Sequence, residues 1–300
     1  MNLLPTTESA DPTLVDLDAW EPAQILHALW QGQMNAVAAL QPALPALAAA
    51  ADAALPLLTA GGRLVYVGAG TSGRIGVQDG AELNPTFNWP THRLVLLMAG
   101  GETALMNAVE NAEDRADEAV RLIASHQIGP QDVVIGIAAS GGTPFTLAAL
   151  KAARAARALT IGIANSPNSA LLDAVNHPIL IETGPEPIAG STRMKAGTAQ
   201  KVALNLLSTL LMVRMGRVYR GQMVDMQARN EKLRRRAVRM VRSLCDADEG
   251  AAIAALAATG GQVKPAVLML LLDLDAAAAQ TLLDRATGHM RQALSLGTLR

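Results

Sequence analysis

Val67 to Pro85, VGAGTSGRIGVQDGAELNP, gathers glycines, hydroxyls and an acid into one short stretch. Gly68, Gly70 and Gly73 let the backbone bend sharply and approach a ligand, while Thr71 and Ser72 set hydroxyls beside the free N–H groups of a helix start. Such a turn suits a phosphate. Glu82 follows on the same element, so an anion cradle is joined to a group able to move a proton. A second turn, Ser140-Gly141-Gly142-Thr143-Pro144, supplies another pair of hydroxyls where a helix begins. Each turn alone is equally open to plain helix capping, a common role for Ser and Thr. Two at strand ends of one sheet favour a sugar phosphate, which needs many short donors from converging loops. No Walker-type Lys follows the first turn, and Glu82 stands too close to be the ribose-binding acid expected about 20 residues on, which disfavours a nucleotide.

Glu110 and Glu113 are the other acids of interest, one turn apart on an expected helix over Thr103–Ser125, where they share a face. A solvated acidic face is the competing reading. In Gly190–Lys201, GSTRMKAGTAQK, Ser191 is followed by Arg193, Lys195 and Lys201 near the start of a long apolar helix over Thr198–Met215. Cations there oppose the helix dipole, so an anionic partner would explain them, with surface charge as the alternative. Lys232–Arg242 reads as a solvated helix face. His27, His92, His126, His177 and His289 lack ligand spacing, so no metal site is expected.

Five apolar runs must carry these turns: Arg63–Val67, Arg93–Met98, Asp132–Ala138, Ala158–Ala164 and Pro178–Glu182. Near-continuous apolar runs fit strands buried on both faces, and the helical segments between them, including Thr143–Ala156 and Ser169–Val175, predict an α/β fold with a five-stranded parallel sheet flanked by helices. Ligands of such sheets sit outside the carboxyl ends of the strands, where both Gly-rich turns fall. The expected organisation is an N-terminal helical arm over 1–54, a sugar-phosphate-binding domain over 55–218 and a small helical C-terminal region over 219–300.

A chain of 300 residues with 50% hydrophobic content buries a substantial core. Its net charge of -1 gives no global field for nucleic acid or an anionic membrane, and 2% aromatic residues give little surface for stacking bases. The apolar stretches Ala36–Leu58 and Val267–Leu283 are interrupted by Pro42, Pro45 and Asp52 and by Asp273 and Asp275, so neither reads as a bilayer span. Cys245 is the single cysteine, which fits a reducing cytoplasm, and the N-terminus lacks the pattern of a secretion signal.

Gly68-Ala69-Gly70-Thr71-Ser72-Gly73-Arg74, Asp79, Ala81-Glu82, Pro85-Thr86-Phe87, Ala99-Gly100-Gly101, Val109-Glu110, Ala112-Glu113-Asp114, Gly136-Ile137-Ala138-Ala139-Ser140-Gly141, and Gly190-Ser191 with Arg193-Met194-Lys195-Ala196-Gly197-Thr198-Ala199-Gln200-Lys201 together carry a specific likeness. In these segments the chain closely resembles the N-acetylmuramic acid 6-phosphate etherases of the sugar isomerase (SIS) superfamily. The likeness begins near Thr6-Thr7-Glu8 and continues through Asn230, Lys232, Leu233, Arg236 and Ala237. It implies a SIS-type, flavodoxin-like fold and a cytoplasmic, metal-free homodimer without cofactor. The implied reaction cleaves the lactyl ether of the substrate in cell-wall amino sugar recycling. The resemblance sets Glu82 and Glu113 as catalytic residues and a substrate site over Thr71, Ser72, Gly73, Arg74, Glu110, Ser140, Gly141, Thr143, Ser191 and Lys195. Gly80, Gly142 and Ala10-Asp11 depart from the family's usual residues.

Elimination from an open-chain aldehyde needs a base at C2 and an acid for the departing lactate oxygen; Glu113 is assigned the first part and Glu82 the second. Along a straight helix Glu82 lies about 15 Å from Ser72, too far for one small sugar. Two arrangements answer this. Glu82 serves the partner subunit's cradle, with Gly73, Gly76 and Gly80 allowing close helix approach across a dimer, or the helix bends or breaks at Gly80. An isomerase or a regulatory sugar-phosphate-binding protein on the same fold would use similar loops.

Overall fold

The computed structural model describes residues 5–228 and 230–298. Two helices, α1 (Pro22–Ala38) and α2 (Leu44–Thr59), precede five parallel strands: β1 (Leu64–Gly68), β2 (Leu94–Met98), β3 (Val133–Ile137), β4 (Leu159–Ala164) and β5 (His177–Leu180). Their order across the sheet is β2-β1-β3-β4-β5, the doubly wound arrangement whose strand order reverses between β1 and β3. The five expected strands are all present, each within two residues of its predicted ends. Every residue of β1 and β3 is buried, which accounts for their unbroken apolar sequence.

Helices α3 (Gly70–Phe87), α4 (Thr103–Met106), α5 (Ala116–Ser125), α6 (Pro144–Ala155) and α7 (Ala170–Ala174) connect the strands, and α8 (Lys195–Arg214) follows them. Alternation along the strands decides which layer each side chain joins. Val65, Val67, Val95, Leu97 and Val134 form one core with Ile123 of α5 and Phe145, Ala149 and Leu150 of α6. On the opposite face Gly76 of α3 lies against Tyr66 and Ile137, and Gly80 against Leu94 and Leu96. The α3 glycines therefore bring the helix onto its own sheet. That corrects the expectation that they serve helix approach across a dimer. The apolar stretch Ala36–Leu58 is divided by a 3-10 turn at Gln41–Ala43, and α2 packs on β3, β4 and β5.

The chain forms two compact units, one of residues 1–81 with 92–208 and one of 82–91 with 209–300. In the second, α9 (Glu231–Cys245), α10 (Glu249–Ala258), α11 (Val263–Leu272), α12 (Ala276–Arg285) and α13 (Met290–Thr298) close around Met240, Val241, Leu256, Val267, Leu268, Leu282 and Leu283. The N-terminal helices belong to the sheet's unit, and the division at the far end falls within α8.

Strand register places Gly68 beside both Met98 and Ile137, so β1, β2 and β3 end level and their following loops leave from one edge. At the opposite edge Arg63 fastens the sheet. Its Nε and Nη2 donate to the Asp132 carboxylate at 2.9 and 2.8 Å, and its Nη1 and Nη2 donate to the carbonyls of His126 and Gln127. Burial alone would raise the Asp132 pKa, but the Arg63 guanidinium and the Gly129 N–H outweigh it and hold the carboxyl below its usual 3.8. The stabilisation is then complete above the ordinary carboxylate value and disappears as pH falls through the lower folded value. Asp132→Asn should be less stable than the unmodified chain at neutral pH, with the two denaturation midpoints converging in acid; parallel midpoints across the acid range would contradict this.

Candidate functional site

At the reversal between β1 and β3, the level strand ends open onto a cavity of about 490 Å³. The loop after β1 contributes Thr71 and Ser72, the loop after β3 contributes Ser140 and Thr143, and Glu113 enters from the connection after β2. Two helix starts, those of α3 and α6, border the same space. Their unpaired N–H groups and positive dipole ends favour an anion.

Capping does not consume these hydroxyls. Thr143 stands at the N-cap of α6 and makes no side-chain cap bond. Among the described residues the Thr71 and Ser72 side chains likewise have no hydrogen-bond partner. Ser140 Oγ accepts the Gly142 N–H at 3.2 Å, a local turn that leaves its own proton free to donate. Among the described residues no Lys or Arg lines this cavity, while Glu8, Glu113 and Asp114 do. An anion here would be held by neutral donors.

The cradle depends on a backbone contact. A Cβ on Gly73 would stand 2.7 Å from the Gly68 carbonyl oxygen, and one on Gly68 would stand 2.8 Å from the Gly73 backbone. Strand and helix meet more closely than any side chain allows. Gly73 is buried beneath the turn and acts through this approach. Gly141, also buried, has φ +66 and lies where a Cβ would meet the Ser169 hydroxyl.

Several expected residues are turned elsewhere. Arg74 does not reach into the larger cavity. Its Nε donates to the carbonyls of Ala104 and Leu105, and its Nη2 to that of Asn107, each at 3.1 Å. This explains why Thr103–Ser125 is not one helix: α4 stops at Met106 with its terminal carbonyls on Arg74, and Asn111 takes the left-handed conformation before a 3-10 turn at Ala112–Asp114. Glu110 and Glu113 consequently do not share a helical face. Glu110 lines an adjoining cavity of about 250 Å³, whereas Glu113 borders both.

Lys195 is buried, and its Nζ donates to the Pro185 carbonyl at 2.9 Å. The anion expected at the start of α8 belongs to the protein itself. Glu186, fully buried, accepts the backbone N–H groups of Lys195 and Ala196 at 2.8 Å each. Sequence reasoning missed Glu186, since an acid ten residues before a helix interior gives no local capping signal. Ser191 does not line the cavity, although its neighbours Gly190 and Thr192 do. Glu82 is exposed in the other compact unit and is not among the cavity's lining residues. Among the described residues, no three His, Cys, Asp or Glu side chains gather as metal ligands.

Residues 46–154 match the family described as the glucokinase regulatory protein N-terminal SIS domain, and residues 115–210 match the SIS domain. A phosphoheptose isomerase from Francisella tularensis shares the fold, with a TM-score of 0.50 at 19% identity over 65% of this chain and 100% of that one. N-acetylmuramic acid 6-phosphate etherase from Deinococcus radiodurans is 54% identical over 97% of this chain and 95% of its own length. The enzyme of that name from Streptomyces avermitilis is 44% identical, covering 97% and 93%. The chain belongs to the N-acetylmuramic acid 6-phosphate etherases. Its five-stranded sheet is of the SIS type.

Arg74→Ala should release three backbone carbonyls and lower stability by about 1–3 kcal/mol. Hydrogen exchange should quicken over residues 104–113, and turnover should fall. Arg74→Lys should not restore protection, because a single ammonium cannot reproduce the planar fork that spans these carbonyls. Unchanged exchange in Arg74→Ala would refute the clamp.

Proposed function

We propose that the cavity binds N-acetylmuramic acid 6-phosphate and that this chain cleaves its D-lactyl ether in cell-wall amino sugar recycling. One observation carries the reading: two uncapped, hydroxyl-bearing helix starts and the carboxylate of Glu113 converge on one space. The phosphate sits against Thr71, Ser72, Ser140 and Thr143, within the domain over 55–218. Glu110, beside the adjoining cavity, flanks the remainder of the substrate. Ser191 and Lys195 shape the nearby loop.

An alkoxide of lactate is a poor leaving group, but the open-chain sugar presents an aldehyde that acidifies the C2 proton. Glu113 removes that proton, the C3–O bond breaks, and Glu82 protonates the departing oxygen to give D-lactate. Water then adds to the unsaturated aldehyde, its hydroxyl to C3 and a proton to C2, giving N-acetylglucosamine 6-phosphate. Every atom is supplied by the substrate, water and two carboxyl groups that begin in opposite protonation states.

Glu82 acts in the partner subunit's cradle in this reading, which makes the working form a homodimer. Its support is that α3 continues through Gly80 to Phe87 without a break, and that Glu82 is absent from the lining of its own chain's cavity. The cytoplasm is the assigned compartment. Cys245 fits it as an unpaired, half-buried thiol that burial raises to about 11, keeping it protonated.

D-lactate release from the purified protein tests the reaction. Aldose–ketose interconversion without lactate would point to an isomerase, and binding without turnover to a regulatory protein. Glu113→Gln should abolish exchange of the C2 proton with solvent deuterium; exchange at the normal rate would remove Glu113 as the base. For the shared site, Glu82→Gln and Ser72→Ala chains should each be inactive alone and regain activity when mixed and allowed to exchange subunits. Mixed dimers with no recovered activity would place both residues in one chain's site.

A further inference from the structure

The N-terminal segment ahead of α1 has no part in the reaction above, yet it forms a wall of the same cavity. Glu8 lines it opposite no cation: among the described residues its carboxylate has no hydrogen-bond donor and no ion-pair partner. The segment bearing it is nevertheless fixed. Thr7 is fully buried with its Oγ1 3.4 Å from Ser166 Oγ, and its carbonyl accepts the Gly190 N–H at 3.1 Å. Ala10 pairs with Glu186, the residue that caps α8. Glu8 is therefore held from both sides while its side chain stands unpaired.

Gly190 makes the room for it. A Cβ at Gly190 would fall 2.9 Å from Glu8 Oε2, so any side chain there would displace the carboxylate. An ionised carboxylate only accepts hydrogen bonds, and the other polar side chains of this cavity are the four hydroxyls assigned to the phosphate, Thr192 and the acids Glu113 and Asp114. Beside a phosphate or the lactate carboxylate it would repel. The partner it fits is a neutral donor of the sugar itself.

We propose that Glu8 is a substrate-recognising residue that accepts a hydrogen bond from a sugar hydroxyl on the flank of the cavity away from the phosphate. The proposal rests on the sugar-phosphate reading of the cavity. It does not require that the sugar carry a lactyl ether.

The experiment compares two probes by calorimetric titration, N-acetylglucosamine 6-phosphate and inorganic phosphate, on the unmodified chain, Glu8→Ala and Glu8→Gln. Loss of one charge-assisted hydrogen bond should weaken the sugar phosphate about tenfold in Glu8→Ala. Inorganic phosphate should bind that variant as well as before or more tightly. Glu8→Gln, which keeps an acceptor carbonyl, should recover part of the loss. Equal weakening of both probes in Glu8→Ala would show that Glu8 merely holds the segment in place and would overturn the proposal, as would unchanged affinity for both. An unmodified chain that binds neither probe overturns it together with the sugar-phosphate reading. Sugar-phosphate binding with the expected Glu8 effect but no lactate release would remove the etherase reaction alone.

Discussion

The contact between β1 and α3 at Gly68 and Gly73 sets everything above the sheet. Two backbones meet where a single methyl on either side would overlap the other's atoms. Because of that approach, the first turn of α3 begins at once after the strand, and Thr71 and Ser72 stand at the sheet's carboxyl edge. Level strand ends do the rest. With Gly68 beside Ile137, the turn that follows β3 rises to the same height and brings Ser140 and Thr143 to the opposite wall. An anion site built this way draws its charge stabilisation from helix starts and hydroxyl dipoles, and among the described residues no cation lines it.

Charged side chains near the site act largely on the protein's own backbone. Arg74 gathers three carbonyls and fixes the segment that leads to Glu110 and Glu113, while Glu186 gathers two N–H groups and fixes the start of α8. Both are buried or half-buried groups opposite complementary backbone dipoles, where a charge-assisted hydrogen bond has high directional value. The result is an ordered rim whose free groups, among the described residues, include Glu8, Glu113, Asp114 and the hydroxyls.

Much of the fold was legible because the apolar runs, their β-branched content and the intervening helical segments all pointed to one parallel sheet. The turns of the site were legible too, since Gly with Ser or Thr at a strand end has few structural uses. Legibility failed where a distant residue overrides local pattern. Thr103–Ser125 has helical composition throughout, but Arg74, some thirty residues earlier, binds the carbonyls that would have continued the helix. Lys195 resembles an anion-binding residue by its place in the chain, and tertiary folding instead turns it to the Pro185 carbonyl.

Sequence by itself determined the sheet, the two hydroxyl-bearing turns and the chemical types available, because these depend on hydrophobic pattern and on backbone freedom within a few residues. Only the tertiary structure decided which of those groups face one cavity. It set Glu113 on the wall beside Thr71 and Ser140, turned Arg74 and Lys195 onto carbonyls, and seated Glu8 against Gly190 from the far end of the chain. The physical reason is that side-chain direction is fixed by packing and by competition for backbone dipoles, and both are set by contacts between residues far apart in the chain.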